Sequence, residues 1–259
     1  MSYDSIEVEN NDGVSTIFLN RPDVRNAFNQ SLTDDLQLAL ETAAKEAEVR
    51  VVIITGKGKG FSAGADLVDR KSRWSGAEES LLKGFLPSIE TIMHMPKPVI
   101  SAVNGAAAGV GAAFALASDL SIMSENAYLL LAFSNIGLVP DGGCHWLLAR
   151  TVGHKTAYQI AVEGERVAAS RCLELGLCNR VVPDDELISE AHRWAKRLAE
   201  RAPLAMAYTK SIMRNAMETD FKSSFGLEGI RQDQCIVTED HREGVAAFRE
   251  KRRPKFKGL

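Results

Sequence analysis

The sequence predicts an α/β fold, with strands and helices alternating over the first two-thirds of the chain and helices dominating the rest. Three observations carry this expectation. Short β-branched runs, Val51-Val52-Ile53-Ile54 and Val99–Val103, read as strands buried on both faces. Between such runs lie stretches of helical period: from Ser31 to Ala47, the residues Leu32, Leu36, Leu40 and Ala43 fall on one face. Beyond Gly142 the pattern is mostly helical, and Glu186–Glu200 is amphipathic.

In chain order, Ile6–Glu9 and Val14–Leu19 flank Asn11-Asp12-Gly13, a hairpin turn by composition. The Val51 run ends at Gly56, and a Lys/Gly loop follows. Val68–Ser80 is polar and reads as a surface excursion. Leu81–Met95 reads as a helix stopped by Pro96 and Pro98. Gly109–Ala117 is a helix of small residues, suited to close packing. Further strands are expected at Leu120–Met123 and Tyr128–Leu131. Pro203 sits where proline starts a helix, and the charged stretch from Arg231 to Arg253 ends the chain in helices.

Composition narrows the function class. With 259 residues, 45% of them hydrophobic and 25% charged, the chain can bury a large core without staples. A net charge of -3 argues against a general nucleic-acid binder. No apolar run has the length of a membrane span, and the start, Met1-Ser2-Tyr3-Asp4, lacks the basic and apolar parts of a signal peptide. The four cysteines form no C-x-x-C pair and the five histidines no H-E-x-x-H, so no metal is expected and the thiols fit a reduced, cytoplasmic protein.

Three glycine-containing stretches are candidates for chemistry. Gly56-Lys57-Gly58-Lys59-Gly60 fails the Walker A pattern and reads as a flexible basic loop. Gly60-Phe61-Ser62-Ala63-Gly64 matches G-x-S-x-G, the nucleophile elbow of α/β-hydrolases, with Asp233 and His241 downstream in hydrolase order. A serine hydrolase using Ser62 is therefore a rival, weakened because the Lys/Gly loop separates strand from serine and no H-G-G-G segment is present. Gly109-Val110-Gly111 opens like a dinucleotide fingerprint, but Phe114 stands at the third glycine position.

Several of these segments also stand in a larger order. Phe61-Ser62-Ala63-Gly64-Ala65-Asp66-Leu67 is followed by Lys97-Pro98-Val99-Ile100-Ser101-Ala102-Val103-Asn104-Gly105 with Ala108-Gly109-Val110-Gly111. Then comes Ile136-Gly137-Leu138-Val139-Pro140-Asp141-Gly142-Gly143. Arg21-Pro22 through Asn26-Ala27-Phe28 precedes them, and Phe248-Arg249-Glu250-Lys251-Arg252 closes the series. Over nearly the whole chain this resembles the enoyl-CoA hydratase/isomerase (crotonase) superfamily. The resemblance implies repeated β-β-α units wound into a superhelix over 1–200 and a helical trimerisation region over 201–259. It implies a homotrimer or hexamer acting on an acyl-CoA thioester, with no cofactor beyond the coenzyme A of the substrate.

The resemblance also implies site residues. The backbone N–H groups of Ala65 and Val110 form an oxyanion hole for the thioester enolate, each such donor being worth on the order of 3 kcal/mol. Gly64 lets the ligand approach without a Cβ in the way, and Gly109 opens a helix whose N-terminus favours an anion. Arg25 and Ala27 match the segment that borders coenzyme A, and Ala63, Asp66 and Leu67 flank the thioester turn. Phe248 and Lys251 match residues that reach a neighbouring subunit's coenzyme A, although Lys251 reads equally as a solvated charge in a basic tail.

The acid/base is where this chain departs from the hydratases. The two glutamates that hold their water match Ala113 and Phe133 here, and Asp141 is the one carboxylate at a family catalytic position. That pattern resembles the Δ3,Δ2-enoyl-CoA isomerases and the ring-epoxide isomerases of phenylacetyl-CoA breakdown, as does Ala132-Phe133-Ser134-Asn135-Ile136-Gly137. An isomerase is thus expected, with a hydratase, another lyase of the family or an inert binding member as alternatives. From spacing alone Asp141 reads as a helix cap ahead of Gly142-Gly143. Apolar neighbours would raise its pKa and a helix N-terminus would lower it, and the sequence leaves the sign open.

Overall fold

The computed structural model describes residues 3–69 and 73–259. Residues 70–72, within the expected polar excursion Val68–Ser80, and the first two residues of the chain start lie outside the described residues. The strands are β1 (Ile6–Asn11), β2 (Val14–Leu19), β3 (Val51–Gly56), β4 (Gly60–Ser62) and β5 (Val99–Val103). They continue as β6 (Ala106–Ala108), β7 (Leu120–Ser124), β8 (Tyr128–Leu130), β9 (Arg166–Ala168) and β10 (Arg180–Val182). The helices are α1 (Gln30–Lys45), α2 (Ala77–Ser80), α3 (Leu86–His94), α4 (Val110–Ala117) and α5 (Cys144–Glu163). After them come α6 (Ala169–Glu174), α7 (Leu187–Ala199), α8 (Pro203–Ala216), α9 (Phe221–Ile236) and α10 (Glu239–Glu250).

The strands come in pairs that divide between two sheets. A six-stranded sheet has the order β1-β2-β3-β5-β7-β10, and a four-stranded one the order β4-β6-β8-β9. In each of the units β3-β4, β5-β6 and β7-β8 the first strand joins the large sheet and the second the small one, before a helix returns the chain. Repetition of this β-β-α step winds the chain into the superhelix of a crotonase fold. From β2 to β10 the large sheet is parallel, and only β1 pairs antiparallel, with β2.

Burial explains the runs of apolar residues. Every residue of β2, β3 and β5 is buried, because helices cover both faces of the large sheet. Val51 and Ile53 point to α7, whose Leu187, Ala191 and Ala195 form one stripe, while Val52 and Ile54 point to the main core with Leu32, Leu36 and Leu40 of α1. Asn29 caps α1, its side chain accepting the Leu32 N–H at 3.0 Å.

The basic loop after Gly56 is shorter than the sequence suggests. Of its five residues Gly56 ends β3 and Gly60 begins β4, so only Lys57, Gly58 and Lys59 lie between the two sheets. The crossing between sheets is tight: a Cβ on Gly105 would lie 2.4 Å from Lys59 O. Asn26 holds the crossing from beneath. It is wholly buried, with its Nδ2 donating to Lys57 O at 3.0 Å and Gly60 O at 2.8 Å and its Oδ1 accepting the Arg21 N–H at 2.9 Å. Its φ of 57° is one that asparagine tolerates better than most residues. Asn26→Ala orphans all three partners and is expected to lower the unfolding free energy by about 3 kcal/mol. Denaturant unfolding checks this, and a loss below about 1 kcal/mol would show that the crossing does not depend on the amide.

Candidate active site

Two turns meet where β4 and β6 end. These strands run parallel, with Gly60 opposite Ala106 and Ser62 opposite Ala107, so Phe61 is a bulged extra residue on the β4 side. Bulges re-aim the chain that follows them. Beyond β4 the chain turns through Gly64 to Ala65, and beyond β6 it turns through Gly109 into α4 at Val110. Gly64 has φ of 94°, and a Cβ there would lie 2.9 Å from Ala108 O and 3.4 Å from the Gly109 Cα. The two turns are therefore in backbone contact.

Each turn leaves one N–H uncommitted. Phe28 N–H donates to Gly64 O at 2.7 Å, and Asp66 N–H donates to Phe28 O at 2.9 Å, which engages both neighbours of Ala65. Val110 is the first residue of α4, where an N–H has no acceptor within its own helix. The Gly109 carbonyl is taken by the N–H groups of Ala112 and Ala113. Among the described residues neither the Ala65 nor the Val110 N–H has a backbone or side-chain acceptor.

Asp141 stands beside this pair. A Cβ on the adjacent Gly142 would lie 2.5 Å from Ala113 Cβ, 3.5 Å from Val110 Cγ2 and 3.7 Å from Ile89 Cδ1, so the Asp141-Gly142 turn rests on the first turn of α4. Asp141 does not cap α5. The N-cap is Gly143, with no side-chain cap bond, and only the Asp141 carbonyl is used, accepting the Cys144 N–H at 3.1 Å. Its carboxylate Oδ1 is shielded from solvent and has no hydrogen-bond partner among the described residues. Burial pushes the carboxyl up to about 6. Desolvation is the cause of the rise. The Cys144 thiol behind it is pushed up to about 12, first by burial and then by the Asp141 charge, which makes it a poor nucleophile.

The other expected residues divide into those the fold brings here and those it does not. Phe133 is buried, its Cζ 3.7 Å from where a Cβ on Gly109 would stand. Ala63 N–H donates to Arg25 O at 2.9 Å, which ties the exposed Arg25 to the turn. Ala27 is buried, and its carbonyl accepts from Arg21 Nη1 at 2.5 Å. Leu67 is exposed at the rim. Asp66 is fully engaged: Oδ1 accepts the Val68 and Asp69 N–H groups, and Oδ2 pairs with Arg21 Nη1 at 2.9 Å. The Asp69 N–H first, and the Arg21 pair after it, hold its carboxyl below the ordinary range. Phe248 lies on α10, which packs on α9, and Lys251 caps its C-terminus; Phe248 is 86% exposed, and among the described residues no bond joins either to the two turns.

One reading of the sequence changes. Ser62 is not an elbow nucleophile. It is 0% exposed, its hydroxyl donates to Asn26 O at 2.8 Å and accepts the Gly64 N–H at 3.1 Å, and His241 and Asp233 are exposed on α10 and α9. Nor did the sequence reveal the support behind the turns: Arg21, Asn26 and an aromatic group in which Phe28 stacks on Phe114 at 4.8 Å with Phe85 edge-on. The left-handed φ of Arg25 and Asn26 is a local oddity that a residue pattern does not announce. Among the described residues no three His, Cys, Asp or Glu side chains converge as a metal site would require, and no helix is long and apolar enough to cross a membrane.

With this geometry in view, the relatives of the chain are informative. Residues 9–259 match the model of the family described as Enoyl-CoA hydratase/isomerase. The chain belongs to that family. It is 38% identical to a probable enoyl-CoA hydratase of Rhodobacter capsulatus over 261 residues, covering 100% of both chains. It is 36% identical to the 1,2-epoxyphenylacetyl-CoA isomerase of Escherichia coli over 250 residues, 95% of each. Among solved structures, an enoyl-CoA hydratase from Bacillus anthracis superposes with a TM-score of 0.92 at 33% identity, over 99% of this chain and 100% of that one. The family groups hydratases with isomerases, so membership makes the chain an enzyme of this class and leaves the reaction to the residues around Asp141.

The buried carboxylate has a thermodynamic signature. Its folded pKa of about 6 lies above the ordinary 3.8, so the folded state binds the proton more tightly than the unfolded one. Stability contributed by this group is present below pH 4 and is lost as pH rises through 6. Asp141→Asn removes the charge. At about 1.4 kcal/mol per pH unit of displacement, it is expected to stabilise the protein by up to about 3 kcal/mol at pH 8, with no gain near pH 4. Parallel denaturation at the two pH values checks the sign.

Proposed function

We propose that this enzyme isomerises an acyl-CoA thioester, with Asp141 as its only acid/base and the N–H groups of Ala65 and Val110 as its oxyanion hole. The carrying observation is the Asp141 carboxylate itself: Oδ1 is buried and, among the described residues, unpartnered, and burial has moved its pKa to about 6, where a group can both take and return a proton near neutrality. In an allylic shift, Asp141 removes a proton from C2 of a 3-enoyl thioester. The electron pair moves onto the carbonyl oxygen, where two N–H donors meet the developing charge. The protonated carboxyl then delivers the proton to C4, leaving a 2-enoyl thioester. Ring-epoxide thioesters are the second substrate class, in keeping with the name of the Escherichia coli relative.

Hydration needs a water held and activated by carboxylates. Ala113 offers none, and its Cβ is against Gly142; Phe133 fills its position with a buried ring. The hydratase names among the relatives keep that reaction as the alternative. In this reading Arg25, Ala27, Ala63, Asp66 and Leu67 border the coenzyme A side of the site. Phe248 and Lys251 act on a neighbouring subunit's coenzyme A, and no cofactor beyond the substrate's own coenzyme A is used.

A panel of 3-enoyl, 2-enoyl and ring-epoxide CoA thioesters tests the reaction. Isomerisation is expected, with hydration of 2-enoyl-CoA weak or absent. Asp141→Asn should cost about 10²-fold or more in turnover while coenzyme A binding persists. Because the carboxylate is the base, kcat/KM should fall as pH drops below about 6 and level off above it. Brisk hydration by the wild type, or normal isomerisation by Asp141→Asn, would overturn the assignment.

Residues 201–259 are proposed to form the contact between subunits of a homotrimer or hexamer. Neither α8 nor α9 has a buried residue, and Phe221, Phe225 and Ile230 are 83%, 65% and 58% exposed, more apolar surface than isolated helices leave to water. Sedimentation should give a trimer or its multiple. Monomer alone at roughly micromolar concentration would refute this and, with it, the shared role of Phe248 and Lys251.

A further inference from the structure

We propose that Ser62 is a positioning residue that sets the orientation of both N–H donors, a role that rests on the two-donor reading above. Its side chain touches both turns at once. On the first turn, Ser62 Oγ accepts the Gly64 N–H at 3.1 Å and donates to Asn26 O at 2.8 Å. Gly64 O is held by the Phe28 N–H at 2.7 Å. The peptide between Gly64 and Ala65 is planar, and in a trans peptide the N–H points away from the carbonyl. Fixing the Gly64 N–H and the Gly64 carbonyl therefore fixes where the Ala65 N–H aims, away from Phe28.

On the second turn, Ser62 supports the peptide that follows the other donor. A Cβ on Gly111 would lie 2.7 Å from Ser62 Cβ, 2.9 Å from its Oγ and 3.0 Å from its carbonyl oxygen. The backbone of Gly111 thus rests directly on Ser62, one residue beyond Val110. No larger side chain fits between them.

The hydroxyl has no freedom to do otherwise. Ser62 is 0% exposed, and both its hydrogen bonds are to backbone. The bulge at Phe61 precedes it and directs the strand end into this position. Donors to a developing oxyanion act over a narrow range of distance, about 2.7–3.1 Å, so a shift of a few tenths of an ångström in one turn weakens the developing charge more than it weakens substrate binding. Loss of the hydroxyl should therefore appear in turnover before affinity.

The test pairs kinetics with a spectrum of the bound carbonyl. Ser62→Ala is expected to lower kcat about tenfold on the thioester that the panel identifies, with KM changed by less than about twofold. Butyryl-CoA labelled with 13C at the thioester carbonyl has no double bond to move, so it reports the hole without reaction. Its C=O stretch should shift down on binding the wild type and shift by clearly less on Ser62→Ala. Ser62→Cys retains an atom against Gly111 with weaker hydrogen bonding and should fall between the two; it also serves if the alanine variant does not fold. A folded Ser62→Ala, or in its absence Ser62→Cys, with the full wild-type downshift and turnover would overturn the role of Ser62. No downshift on the wild type would instead remove the two-donor reading, and this proposal with it. A wild type that shifts the carbonyl but fails to isomerise would overturn the isomerase assignment alone and leave the comparison of Ser62 variants decisive.

Discussion

The pairing of β4 with β6 is the constraint on which the site depends. Two adjacent parallel strands that stop together deliver their following turns to one place, and ligands of α/β proteins gather at such carboxyl ends. Here both strands are three residues long, so little of either is committed to the ladder before the turn begins. The alternation of first strands to the large sheet and second strands to the small one is what makes β4 and β6 neighbours, although 43 residues of sequence and two helices intervene between Ser62 and Ala106. The superhelix and the site are consequences of the same step.

Around that junction the protein keeps two carboxylates in opposite environments. Asp66 accepts two backbone N–H groups and an Arg21 ion pair, and stays ionised as a brace for the loop. Asp141 has an oxygen with no donor among the described residues and a pKa raised by burial. Environments that drive like groups apart in this way separate structural acids from those available for proton transfer. The unsatisfied oxygen is a local cost in folding, which suits a site whose task is to move a proton rather than to hold one.

Much of the large sheet was legible because its strands are long enough to show a pattern. Val51–Ile54 and Val99–Val103 announce burial on both faces, and the Leu32–Ala43 and Leu187–Ala195 stripes announce the helices that cover them. Of the small sheet only β8 was legible, in the expected strand Tyr128–Leu131. Three-residue strands such as Gly60–Ser62 carry no measurable period, and β4 lies in the segment that reads as G-x-S-x-G, sharing only Gly60 with the Lys/Gly loop. Asp141 could be located by family pattern, but spacing could not separate a capping carboxylate from a bare one, since that depends on where the side chain points. G-x-S-x-G was misleading for a related reason: five residues recur in unrelated turns, and only burial shows that the Ser62 hydroxyl is spent on backbone. Phe248 and Lys251 lie apart from the turns within one chain.

Because the proposed hole is built from main chain, it is indifferent to the side chains of Ala65 and Val110. The means of gripping a carbonyl is thereby uncoupled from the means of handling protons or water, which resides in side chains on α4, on the segment after β8 and ahead of α5. Substitution at those few positions can exchange one chemistry for another without rebuilding the frame, while substitution in the frame would weaken every chemistry together. A lineage with this architecture can diversify its reactions by small steps and still inherit the same handle on the thioester.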